Sequence, residues 1–157
     1  MLVHTCFGFA FADGTELIYS VEARRKESEG YNPITKGPFG GYEIIRLFTT
    51  FNDLLGFRKI ERGQGLERYP LTLSHKQLQQ LLQASLQDAA RAANATKPDI
   101  YHSINNHCTT ALLEVMNDVL EKIEKKIPRH IYWHITGMSP RLLAKYLMLD
   151  LSKKEKV

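Results

Sequence analysis

The chain has 157 residues, 43% hydrophobic and 24% charged, a balance that builds a core and excludes a disordered chain. Its two cysteines exclude a disulfide framework and a cysteine-based zinc module, and no apolar run approaches the ~20 residues that span a bilayer. The net charge of +4 suits an anionic surface, but a solvated basic face explains it as well, and no nucleic-acid motif accompanies it.

Met1-Leu2-Val3-His4 runs straight into strand-like sequence. This predicts a fragment lacking upstream residues. The expected organisation is one unit over 1–157, with sheet mainly over 2–73 and helices mainly over 74–151. Over Leu2 to Ala12, Phe7, Phe9 and Phe11 share one parity, and His4, Cys6, Gly8 and Ala10 the other. Asp13-Gly14 is a hairpin signal, and Glu16 to Arg24 alternates again. A loop of Ala12-Asp13-Gly14 sets Phe7 opposite Tyr19, Phe9 opposite Leu17, Cys6 opposite Ser20 and His4 opposite Glu22. The aromatics then gather on one face, leaving a small, polar face that a helix could approach closely. A loop one residue different would set Ala23 against His4 and destroy that sorting.

Arg25 to Gly41 is charged, then rich in Gly and Pro, and reads as a long connection fit for a lid or binding loop. Tyr42 to Thr50 is strand-like. Leu54 to Ile60 is expected as a further strand, and Leu66 to Leu73, carrying Pro70, as an edge strand. Ser74 with Gln77 is a capping box opening a helix to about Ala93, with Leu78, Leu81, Leu82 and Leu86 as its stripe. Asn94 to Pro98 is a break. Arg129 to Gly137 is aromatic-rich; His130 and His134 are four apart but lack a third ligand, so no metal is expected. Ser139 caps a last helix with Pro140 at its first position, its stripe Leu142, Leu143, Tyr146 and Leu147. The tail from Lys153 to Val157 is expected to fray.

Chemistry concentrates at Tyr101 to Leu113. Asn105, Asn106, Thr109 and Thr110 are residues of helix starts. Leu112, Leu113, Met116, Val119, Leu120 and Ile123 then repeat at helical spacing. Cys108 is therefore expected at a helix N-terminus, where the macrodipole favours thiolate over thiol and the Cys108 N–H faces a developing oxyanion. A cysteine there is also commonly just a small buried residue. A nucleophilic thiol needs a base. His4 is the candidate, with the Glu22 carboxylate orienting its ring. Glu22 reads equally as a solvated strand residue paired with Arg24 or Arg25.

His4-Thr5, Phe7 to Phe9, Asp13-Gly14, Ser20-Val21-Glu22-Ala23-Arg24-Arg25, Gly37, Phe39, Tyr42-Glu43, Tyr69-Pro70-Leu71, Tyr101 and Asn106 before Cys108-Thr109-Thr110 stand in an order that resembles the bacterial Lnb-type N-terminal periplasmic domain. The resemblance is collinear over Leu2 to Leu113. That family is associated with lipoprotein N-acylation, and the His-before-Cys order resembles the circularly permuted branch of the NlpC and papain-like cysteine superfamily. Three departures stand out: His107 rather than Asn directly precedes the cysteine, an acidic-Arg pair near Phe51-Asn52 is missing, and Cys6 replaces an apolar or hydroxyl residue.

The resemblance implies an α+β fold, an antiparallel sheet packed on helices with the nucleophile at a helix N-terminus. It implies a thiol-dependent acyltransferase working through a cysteine acyl-enzyme at a bacterial membrane surface, periplasmic or membrane-associated. The expected partners are an acyl lipid or lipoprotein, not nucleic acid, and no cofactor is expected. Cys108, His4 and Glu22 are the catalytic candidates. Ser20, Tyr42, Asn106, His107 and Arg24 are in support, Tyr42 as a side-chain oxyanion donor and Ser20 as an alternative orienter of His4. A cysteine peptidase or amidase acting on cell-wall peptides would use the same dyad. A binding domain without catalysis is the reading from another class. Cys6 shares the face of His4, close enough to Cys108 for a disulfide, or else buried and inert. Nothing in the sequence specifies an oligomeric state.

Overall fold

The computed structural model describes residues 4–24, 41–61, 63–102, 106–120 and 151–157. The connection with Tyr31 and Phe39, Asn105, Ile123, His130 and His134, and the helix expected from Ser139 lie outside the described residues.

Two strands, β1 (Cys6–Ala10) and β2 (Glu16–Arg24), form the expected hairpin in the expected register, with Cys6 opposite Ser20, Phe7 opposite Tyr19 and Phe9 opposite Leu17. Asp13 shapes the turn by accepting the Thr15 N–H at 2.9 Å, and Gly14 takes φ +84°, where a side chain is strained. The third strand, β3 (Tyr42–Thr50), pairs antiparallel with β2 along its length. Short β5 (Ile100–Tyr101) then adds to the far edge of β3, giving the order β1-β2-β3-β5. Two hydrophobic residues after a long helix carry no periodicity, so this strand left no mark in the sequence.

The segment expected as a strand over Leu54 to Ile60 is helical instead. Helix α1 (Phe51–Leu55) runs into a π-helical turn, Gly56–Glu61. The cause is a capping box: Thr50 Oγ1 accepts the Asp53 N–H, and the Asp53 carboxylate accepts the Thr50 N–H. With two backbone donors satisfied at this point, the chain leaves the extended conformation.

Of the expected edge strand over 66–73, β4 (Glu67–Arg68) pairs with β6 (Glu155–Lys156) in a separate small sheet. The tail is thus bound rather than frayed. Opposite charges explain it: Glu67 stands across from Lys156 and Arg68 across from Glu155, and Lys154 Nζ reaches Glu67 at 2.8 Å.

Helix α2 (His75–Ala93) begins on the predicted Ser74-Gln77 capping box. Its stripe differs from the expected one: Leu86 is half exposed, and the buried line is Leu81, Ser85 and Asp88. Polar residues lie on that line because Ser85 donates back to the Leu81 carbonyl and Asp88 meets partners across the sheet. Helix α3 (Cys108–Leu120) is buried almost all round. It packs on β1, β2 and α2, and the core joins Phe7, Tyr19, Val21, Ile44 and Leu81 to its apolar residues from Ala111 to Leu120. The helices therefore cover the aromatic face, which has most apolar area to remove from water. The small polar face, expected to receive a helix, is met by the π-helical turn, which brings Arg58 to Glu22, and it carries the polar cluster described next.

Candidate active site

Cys108 opens α3 and is 6% exposed. The helix start is closed by Thr110, one of the residues expected there. Thr110 Oγ1 accepts the His107 N–H at 2.9 Å and donates to the His107 carbonyl at 3.1 Å, while that carbonyl also accepts the Ala111 N–H. The Cys108 side chain is thereby set beside the orphan donors of the first turn.

His4 stands just before β1, outside the ladder, with Nε2 2.8 Å from Ser20 Oγ and 3.0 Å from Glu22 Oε1. The Ser20 hydroxyl donates to Glu22 Oε1 at 2.7 Å. Its single proton is committed there, so towards His4 it accepts, and Nε2 carries the hydrogen. Nδ1 is the nitrogen left for the thiol. The hairpin register explains the cluster: residues 4, 20 and 22 converge on the small face because their parities match.

The charges follow. Burial pulls the His4 imidazolium down, but the Cys108 thiolate and Glu22 outweigh it and raise its pKa to about 9. Burial pushes the Cys108 thiol up, but imidazolium His4, hydrogen bonds from the His107 and His4 side chains, and a bond from the Thr5 backbone hold it well below the ordinary thiol range. Burial likewise raises Glu22, and its bonds to His4, Arg58 and Ser20 hold it at about 2. Together these shifts favour a thiolate on Cys108 and an imidazolium on His4 beside the Glu22 carboxylate.

The supporting candidates divide. Ser20 and His107 are in the cluster, both buried to 3% exposure. Asn106 shapes the preceding loop, its Nδ2 donating to Asp99 Oδ1 at 3.0 Å and the Ile100 carbonyl at 2.9 Å. Tyr42 is buried at the start of β3, edge-on to Tyr101. Arg24 is an exposed partner of Glu43 at 3.5 Å and does not pair with Glu22. That role belongs to Arg58, 5% exposed, whose guanidinium grips Glu22 Oε1 and lies over the Phe57 ring. Arg58 went unseen because its segment reads as a strand; Thr50 and Asp53, spaced for a capping box, were the available signal. Cys6 and Cys108 are both free. Burial pushes the Cys6 thiol up to about 11, against the opposing pull of Arg58, so Cys6 stays protonated at neutral pH.

Glu22→Gln keeps the shape and removes the charge. The imidazolium loses a stabilising neighbour, so the His4 pKa should fall from about 9 and the alkylation midpoint of Cys108 should rise by about one pH unit. Iodoacetamide labelling across pH, read by peptide mass spectrometry, measures it; an unchanged midpoint removes Glu22 from the electrostatics of the thiol.

A family model described as the Lnb N-terminal periplasmic domain matches residues 1–136. Searches of curated proteins and of solved structures return no match. The matched span contains His4, Ser20, Glu22, Arg58 and Cys108, and the family is one of the periplasm, which places this chain in the periplasm or at the membrane. By that span, and with an antiparallel sheet packed on helices as its fold, the chain belongs to the Lnb N-terminal periplasmic domain family.

Proposed function

We propose that this domain is a thiol acyltransferase working through a cysteine acyl-enzyme on the acyl groups of lipoproteins or phospholipids at the bacterial membrane surface. The observation that carries the proposal is the geometry of Glu22, His4 and Cys108, with His4 Nε2 fixed by Ser20 and Glu22 and Cys108 buried at a helix start, and the lowering of the Cys108 thiol by His4 supports it. The chain order, His before sheet before helix and Cys, supports a place in the circularly permuted papain-like superfamily.

In this reading the Cys108 sulfur attacks the ester carbonyl carbon of an acyl lipid. The carbonyl electrons move onto oxygen, where the N–H groups of the α3 first turn receive them. As the tetrahedral species collapses, the ester C–O bond breaks and the His4 imidazolium gives its proton to the leaving alkoxide. The acyl group is then a thioester on Cys108. An amine attacks that thioester, neutral His4 takes the amine proton, and thiolate Cys108 leaves with an amide as product. Glu22 and Ser20 keep the ring in register throughout.

The test uses the chain with a diacylated lipopeptide bearing a free amino-terminal cysteine, presented in phosphatidylglycerol vesicles. Intact-protein mass spectrometry should show one acyl mass added at Cys108, removable by neutral hydroxylamine, and absent from Cys108→Ala. Appearance of an N-acylated peptide supports the transferase. Release of free fatty acid alone would make the domain a hydrolase, and no adduct on a reactive Cys108 would sink the acyl-enzyme.

A further inference from the structure

The two dipeptides His4-Thr5 and Cys108-Thr109 meet side by side. Thr5 Oγ1 lies 3.1 Å from Thr109 Oγ1 across 104 residues of chain, and Thr109 Oγ1 lies 3.9 Å from Cys108 Sγ. Thr109 is 3% exposed. The second threonine after the cysteine has a different task, closing the helix start on His107. We infer that the Thr5–Thr109 hydroxyl pair is a positioning device for the dyad, setting the backbone that carries His4 against the helix that carries Cys108.

The need for such a tie is visible in the fold. His4 and Thr5 precede β1, whose paired register begins at Cys6, so His4 lies beyond the end of the β1–β2 ladder. Ser20 and Glu22 fix the far nitrogen of the His4 ring, which sets its tilt. They do not set its distance from α3. The hydroxyl pair does that, one residue along from each member of the dyad. It also brings the Thr5 main chain over the sulfur, where its N–H is a thiolate donor. Threonine suits the role: a β-branched side chain is stiff at χ1 and holds its hydroxyl in one place.

This inference rests on the dyad reading above. The experiment measures Cys108 alkylation against pH for the wild type, Thr109→Val, Thr5→Val and Thr109→Ser, with thermal unfolding of each. Valine keeps the shape and deletes the hydroxyl, and Thr5→Val approaches the same bond from its less buried side. The expected result is an upward shift of the midpoint by about one pH unit in both valine variants, which is about tenfold less thiolate at a pH below both midpoints. Thr109→Ser should restore the wild-type midpoint, and in a His4→Ala background Thr109→Val should shift nothing further. A low wild-type midpoint left unmoved by both valine variants, whatever their melting temperatures, overturns the inference and leaves the dyad standing. An ordinary midpoint in the wild type overturns both.

Discussion

His4→Ala should turn Cys108 into an unreactive thiol. In the wild type the ion pair of Cys108 and His4 persists up to a His4 pKa of about 9, so alkylation of Cys108 should set in well below the ordinary thiol range. Without His4 the burial that raises the thiol is opposed only by His107, Thr5 and the helix start. The midpoint should then move to or beyond the ordinary value of about 8.5, with the rate climbing about tenfold per pH unit below it. Acyl-enzyme formation should fall by a factor of ~10² to 10⁴, the usual worth of a positioned general acid and base. Superimposable pH profiles for the two proteins would remove His4 from the chemistry and leave a binding domain as the better reading. Stability carries a matching sign. His4 is raised from 6.5 to about 9, so its contribution is present in full below about pH 6.5 and is lost as the pH rises through about 9. Glu22, held at about 2 against an ordinary 4.5, contributes above pH 4.5 and loses that as the pH falls through about 2.

The second large effect is on stability and lies away from the thiol. Asp88, on the buried side of α2, accepts the Tyr19 hydroxyl at 2.5 Å, Arg46 Nε at 2.6 Å and Arg91 at 3.2 Å. Tyr19 is fully buried, and burial with the Asp88 carboxylate holds its hydroxyl protonated far above the ordinary tyrosine range. Arg46 continues the chain to Asp99 Oδ2 at 2.9 Å, and Asp99 Oδ1 holds Asn106, two residues before Cys108. Asp88→Ala leaves the Arg46 cation and the Tyr19 hydroxyl without their shared acceptor in the core. Removing one partner of a buried ion pair costs about 3–5 kcal/mol, a large part of the stability of a chain this size. Urea unfolding measures it, and a loss below about 1 kcal/mol would show that water or a rearranged Arg46 replaces the carboxylate. Because Asn106 is the last link, the variant should also raise the Cys108 alkylation midpoint under native conditions.

Local signals carried far in this chain. Alternation marked β2 and strand-like composition marked β3 at their observed ends, and Asp13-Gly14 with the loop length set the hairpin register. That register alone brought His4, Ser20 and Glu22 to one face, because strand parity admits no intermediate choice. Ser74 and Gln77 opened α2, and the helical repeat after Cys108 placed the nucleophile at a helix start. The family too was legible, since its motifs are short, collinear and sit on these same elements. What the sequence could not express were partnerships between segments far apart. Arg58 rather than Arg24 neutralises Glu22 because a π-helical turn returns it to the small face, and turn geometry has no composition of its own. β5 and the β4–β6 pair form only because their neighbours expose an edge and opposite charges. Helices α2 and α3 chose the aromatic face over the small one because buried apolar area decides layer packing. The distance between His4 and Cys108 was settled in the same way, by contacts such as Thr5 on Thr109 that exist only once the two ends of the domain have met.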